Sequence, residues 1–114
     1  MDNPNKTKER IKKNGDVFTP MDLCFRMVRD IPEDKLKDPT STFLDPSCGD
    51  GNFLVALLQV LTEEYGHDRE QVLSRLYGVE IMQDNVDRAL ERLGGGHLVC
   101  ADALEYDFSF VPVD

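Results

Sequence analysis

Leu44 to Leu54 read LDPSCGDGNFL, with an acid, a proline and two glycines set between two apolar runs. Gly49 and Gly51 permit positive φ and close approach of backbone to a ligand, and the amides of such a loop face the start of the following helix. A glycine loop joining a strand to a helix is where α/β proteins hold nucleotides. The residues present do not suit a phosphate. A dinucleotide fingerprint needs a third glycine where this chain has Leu54, and a P-loop needs Lys followed by Ser or Thr, which is missing.

Two more acids stand at strand ends. Glu80 closes Leu76-Tyr-Gly-Val-Glu, beside the glycine loop. A lone strand-end Glu is as often a solvated acid, but next to a glycine loop it can accept both hydroxyls of a ribose. Ile81 then offers an apolar face to an adenine. Asp102, in Ala101-Asp-Ala-Leu, can accept from an adenine amino group while a backbone N–H serves the ring nitrogen. Taken singly, such an acid is more often a turn or cap residue; in this succession the adenine reading is favoured. Adenosine held without a phosphate site fits S-adenosylmethionine (SAM), whose sulfonium and ammonium favour an acidic pocket. Asp45 falls near the methionine end, a role compatible with bonding to its own loop amides.

The elements that must position these residues follow from pattern. Thr19-Pro20-Met21-Asp22 is a helix start, with Thr19 as N-cap and Pro20 in the first turn. Leu23, Met27, Val28 and Ile31 fall on one helical face, and Pro32 closes the segment. Glu33 to Thr40 reads as a polar loop, and Ser41 to Asp45 as a buried first strand. The stretch from Asn52 to about Tyr65 is apolar nearly all round, which predicts a buried helix ended by Gly66. Asp68 with Gln71 resembles a capping box for a short helix through Leu76. A second strand covers Leu76 to Ile81, and Asp84 caps a helix carrying Val86, Ala89, Leu90 and Leu93. Gly94-Gly-Gly ends that helix, and His97 to Ala101 is a third strand. Strands separated by helices imply an α/β fold with a parallel sheet and right-handed crossovers.

Composition bounds the rest. At 114 residues and 40% apolar content the chain suits one globular domain. Its longest apolar run is about half what a membrane span needs, and the polar, basic N-terminus lacks a signal-peptide pattern. Cys24, Cys48 and Cys100 form no Cys-x-x-Cys or His/Cys cluster, so neither zinc nor a disulfide framework is expected. A cytoplasmic protein without membrane contact is the simplest expectation. The net charge of −9 opposes phosphate binding. Lys6, Lys8, Arg10, Lys12 and Lys13, against Asp2 and Glu9, give residues 1–13 a charge of +3 and leave −12 on the remainder. Residues 1–13 read as a solvated, flexible arm, or else as a DNA-tracking one; residues 14–114 read as the folded domain. His67 and His97, beside glycines, read as solvated loop residues. Cys48 is a poor nucleophile candidate, because it lies inside the loop with no base nearby.

NGDVFTP, FLDPSCGDGNFL, LYGVEI and CADAL, in that order, resemble the first four motifs of N6-adenine DNA methyltransferases. The resemblance runs from about Asn14 to Phe108. It implies a Rossmann-like class I methylase fold, SAM as cofactor, and DNA methylation of the restriction–modification kind. By the same resemblance Thr19 and Pro20 help hold the methionine moiety. Asp45, Pro46 and the loop from Cys48 through Gly49 to Gly51 line the methionine and sulfonium, with Phe53 packed near them. Glu80 takes the ribose hydroxyls, Ile81 contacts adenine, and Asp102 with Ala103 reads the adenine edge.

The departure from the family pattern is equally informative. Family members do their chemistry with Asn or Asp-Pro-Pro-Tyr or Phe after the fourth strand, where the flipped base is held. No such tetrapeptide occurs here; Asn3-Pro4 lies elsewhere, and Tyr106 and Phe108 only lead toward that position. The expectation is therefore a truncated domain with strand order 3-2-1, lacking the later strands and the target-recognition region. It would bind SAM, need a second methylase half or self-association across the first-strand edge, and meet DNA only in a completed assembly. A non-catalytic SAM-binding or interaction module is the first alternative. A fragment of an RNA or protein-glutamine methyltransferase is the second, against which the upstream Phe-Thr-Pro argues.

Overall fold

A computed structural model describes residues 18–106. The basic arm, Asn14 to Val17 of the first motif, and Phe108 lie outside the described residues. The order is α1 (Met21–Arg29), α2 (Glu33–Lys37), β1 (Phe43–Asp45), α3 (Asn52–Gln59) continuing into a π-helical turn (Val60–Glu64), α4 (Arg69–Leu73), β2 (Leu76–Glu80), α5 (Gln83–Leu93) and β3 (His97–Cys100). The three strands form one parallel sheet with β2 between β1 and β3. This is the α/β arrangement with the expected strand order.

Packing turns on α3. Leu54, Ala56, Leu57 and Leu58 are buried on it, and Val60 and Leu61 continue the core through the π turn. The widening there has a local cause: Thr62 Oγ1 donates to the carbonyls of Leu58 (2.8 Å) and Gln59 (3.2 Å), a side-chain bond that bends helices. The expected single helix to Tyr65 is thus an α-helix ended by a π turn, with Gly66 at φ +71° beyond it.

Several boundaries differ from the sequence expectation. Pro20, not Thr19, is the N-cap of α1, and no side chain caps it. Cys24 and Val28 form the buried stripe of α1, while Leu23 and Met27, one position round the helix, stay 42% and 45% exposed. Two adjacent i,i+4 stripes competed here, and periodicity alone could not choose between them. Pro32 starts α2 where a loop was expected, so that Leu36 can enter the core. Met82 rather than Asp84 precedes α5 as its N-cap. Asp68 does cap α4 by accepting from the Gln71 N–H (3.1 Å), yet the Gln71 side chain turns to the Pro39 carbonyl and to Arg75, so the box is only half formed.

The two histidines also differ. Arg75, almost fully buried, donates to Gln71 Oε1 (2.9 Å), the Ser41 carbonyl (2.8 Å) and His67 Nδ1 (2.9 Å), which ties the approach to β1 onto α4. His97 opens β3 and stacks on Tyr77 at 4.6 Å. His67 is therefore a half-buried part of the fold, whereas His97 is exposed, as expected, but belongs to a strand and not to a loop.

β1 is shorter and less buried than expected. Ser41 and Thr42 lie outside it, and among the described residues it pairs with β2 alone. Leu44 is 37% exposed, whereas every residue of β2 is buried. No helix among the described residues is long and apolar enough to cross a membrane.

Gly78, at the centre of β2, lies where neighbouring strand, glycine loop and α3 close in on the sheet. A Cβ there would stand 2.7 Å from Leu98 Cδ2 and 3.1 Å from both Cys48 Sγ and Leu54 Cδ1. Gly78→Ala is expected to destabilise the chain by about 1–3 kcal/mol, the usual range for overpacking. Urea unfolding checks this; an unchanged midpoint would mean that the contact between α3 and the sheet is looser than described.

Candidate functional site

Parallel pairing brings the C-terminal ends of all three strands to one edge of the sheet. From Asp45 the chain turns along the end of β2, where the Cys48 N–H donates to the Val79 carbonyl (2.9 Å), and then into α3. Gly49 (φ +54°) and Gly51 (φ +95°) adopt backbone that side chains disfavour. Each also has a close neighbour. A Cβ on Gly49 would meet the Phe18 ring at 2.9 Å, and one on Gly51 would meet Ala89 Cβ at 3.0 Å. Both glycines are thus required by conformation and by space.

Glu80 is the hub of this edge. Its side chain is buried, 6% exposed, where a carboxylate needs partners. Oε1 accepts from the Gly49 N–H (3.2 Å); Oε2 accepts from the Met82 N–H (2.9 Å) and Asn85 Nδ2 (3.1 Å). One carboxylate therefore joins the glycine loop, the turn after β2 and the first turns of α5. These donors take three of the roughly four acceptor positions on a carboxylate, and Oε1 carries only one of them.

Asp45 lies on the β1 side of the same edge, with Oδ1 accepting from the Ser47 N–H (3.1 Å). Burial pushes its carboxyl above the usual range, the Ser47 bond partly opposes this, and the charge of Glu80 adds to the rise. Burial also pushes the Cys48 thiol up to about 12, with Asp45 and Glu80 contributing. Nucleophilic chemistry requires the thiolate, so Cys48 is a packing residue at neutral pH.

At the end of β3 the Ala101 N–H donates to the Glu80 carbonyl (3.0 Å), which brings Asp102 next to the β2 terminus. Asp102 Oδ1 accepts from the Leu104 N–H (3.0 Å), and its carbonyl accepts from Glu105 and Tyr106, so the residue shapes a turn. Ile81 stands 51% exposed just beyond Glu80.

A cleft opens between the N-terminal segment and the glycine loop. Of the residues expected from sequence it brings together Thr19, Asp45, Cys48, Gly49 and Phe53; Pro20, Pro46, Gly51, Glu80, Ile81, Asp102 and Ala103 lie outside it, the last four along the neighbouring strand ends. Asp50, inside the expected Cys48–Gly51 loop, lines it as well, and sequence reasoning gave no role to Phe18, Ser47 and Asn52, which also line it. All three lie inside the two motifs already singled out, so position alone could have suggested them. Asn85, the side-chain partner of Glu80, sits five residues downstream on the next helix and carried no comparable signal.

Because the folded state raises the Asp45 pKa, its contribution to stability is fullest when it is protonated and is lost as pH rises through the folded value. At neutral pH the ionised carboxylate is a liability. Asp45→Asn keeps an acceptor for Ser47 and should raise the thermal midpoint of the ligand-free chain at pH 7. The gain should shrink as pH falls toward the ordinary carboxylate range. Thermal scans across pH check this, and a lower midpoint at pH 7 would contradict it.

Comparison with known families matches the N-6 DNA methylase family over residues 4–91, a span holding the Thr-Pro segment, the glycine loop and Glu80. No curated protein matches the chain. The match covers well over half of the sequence, and with the motif order and the parallel α/β sheet it leads to one statement: this chain belongs to the N-6 DNA methylase family.

Proposed function

We propose that this chain is the SAM-binding portion of a DNA adenine-N6 methyltransferase, built on a partial Rossmann-like fold and completed by a second methylase half or by another copy of itself. The observation that carries the reading is the pair of acids, Asp45 and Glu80, flanking a glycine loop at the C-terminal edge of the sheet. Open α/β sheets bind ligands at that edge. The raised carboxyl of Asp45 marks a site that gains from a cation, and the sulfonium and ammonium of SAM supply one.

The raised, half-buried carboxyl of Asp45 and the open glycine loop are of the chemistry that such a cationic cofactor needs. Bound SAM would supply a methyl group on a sulfonium, which family members direct to the N6 of adenine. Thr19, Pro20, Asp45, Pro46 and the Cys48–Gly51 loop would hold the amino-acid half, with Phe53 against it. Glu80 would take a ribose hydroxyl through Oε1, its less occupied oxygen, while keeping its hold on Met82 and Asn85. Ile81 has the exposure needed to contact adenine, and Asp102 with Ala103 lies in the turn just past the end of the next strand.

Completion by a partner rests on the β1 side of the cleft. Met27 and Leu44 are exposed there and line a hollow that shares Thr19, Asp45, Ser47 and Phe53 with the cleft. An unpaired strand edge is a template for another chain. The chain also carries no Asn/Asp-Pro-Pro-aromatic motif, and its charge of −9 repels DNA. DNA would thus be met by the completed assembly.

Calorimetry with SAM tests the cofactor reading. A half-open pocket should give a dissociation constant on the order of 10–500 μM. Affinity should fall as pH drops through the raised Asp45 value, because a cationic ligand favours the ionised carboxylate. No heat at millimolar SAM, or affinity that rises with acid, would remove this reading. The chain alone, given tritium-labelled SAM and mixed-sequence DNA, should leave the DNA unlabelled. Dose-dependent labelling of adenine that is lost in Asp45→Ala would show that no partner is needed.

A further inference from the structure

Arg92, in the last turn of α5, has no part in the motifs, yet it grips the glycine loop from the side of α5. Its Nη1 donates to the Asp50 carbonyl (2.9 Å) and to Asn52 Oδ1 (2.7 Å), and it pairs with Asp50 Oδ1 (3.2 Å). Ala89, three residues earlier on the same helix, is the residue against which Gly51 packs. Spacing of i,i+3 puts both on one helical face. A guanidinium has donors only, so Asn52 must turn its oxygen toward Arg92. Its Nδ2 is thereby aimed at the Thr19 carbonyl, to which it donates at 2.8 Å. The Cys24 thiol reaches the same carbonyl at 3.6 Å. The outcome is a relay from α5 through the loop to the segment that carries Phe18 over Gly49 and forms one wall of the cleft.

We propose that Arg92 is a positioning residue for this cleft, acting through Asn52 to hold the Phe18–Thr19 wall against the glycine loop. It therefore governs affinity for the amino-acid half of the ligand and leaves the adenosine half unaffected. This rests on the SAM reading above. The relay ends at Thr19, whereas Ile81 and Asp102 are held by separate contacts with Cys100 and Leu104, and Glu80, though bonded to Gly49 of the loop, keeps Met82 and Asn85 as anchors outside it. Asn52→Asp is the sharpest variant: one oxygen can still face Arg92, but the other then meets the Thr19 carbonyl with no proton between them.

The test uses the full chain and two ligands, SAM and 5′-methylthioadenosine, which keeps the adenosine and the sulfur but lacks the amino-acid portion. Arg92→Met and Asn52→Asp should weaken SAM binding by about tenfold, roughly 1.4 kcal/mol, with 5′-methylthioadenosine affinity within about twofold of wild type. Arg92→Lys, which keeps the charge and a single donor nitrogen, should recover part of the loss. Equal weakening of both ligands would reduce Arg92 to a structural residue, and no weakening of either would remove the relay; each overturns the proposal. If the wild-type chain binds neither ligand, the SAM reading fails instead. Amide exchange in the ligand-free chain then decides the relay. Faster exchange at Thr19, Gly49 and Gly51 in Asn52→Asp supports it, and unchanged exchange there overturns it.

Discussion

The arrangement depends on one buried carboxylate. Glu80 ends the central strand with its charge almost out of solvent, and three N–H donors from three segments converge on it. Hydrogen bonds to a charged group are about twice as strong as neutral ones, and losing a partner from a buried charge is correspondingly expensive. The glycine loop therefore has one place to sit, because Gly49 must present its amide to Glu80. The Phe18 ring limits the same glycine by space alone, since a Cβ there would meet it at 2.9 Å. A residue expected to serve a ligand thus also builds the loop around that ligand.

Charge at this edge is left partly uncompensated. Asp45 has a single backbone donor, and Glu80 disfavours its ionisation. Arg92, which reaches the glycine loop, is engaged with Asp50 and Asn52. An acidic cleft suits a cationic ligand and disfavours a phosphate. The same logic explains why a glycine loop here need not imply a nucleotide phosphate, even though its backbone has the required openness.

Much of this was legible in the sequence, for identifiable reasons. The strand order and the convergence of the glycine loop, Glu80 and Asp102 on one edge follow from strands alternating with helices, since parallel pairing puts every C-terminal end on one side. The choice of Cys24 and Val28 over Leu23 and Met27 was not legible, because two apolar stripes of equal spacing lie side by side on α1. Helix α2 was hidden by polar residues that bury only Leu36. The π turn depends on where the Thr62 hydroxyl points, which composition does not reveal. Asn85 and Arg92 escaped for a deeper reason. Their partners are 5 and 40 residues away in sequence respectively, and only the fold makes them neighbours.

The central claim, that this strand edge is a SAM site, is tested most directly by mapping SAM onto the ¹⁵N-labelled chain by nuclear magnetic resonance. The account predicts that amide shifts cluster at Thr19, at the Gly49–Gly51 loop, at Ile81 and Met82 beyond Glu80, and at Asp102 and Ala103. Leu36 and the buried Leu57 and Leu61 of the core should stay still. Saturation with no shifts at these strand ends, or shifts confined to another face of the chain, would contradict it.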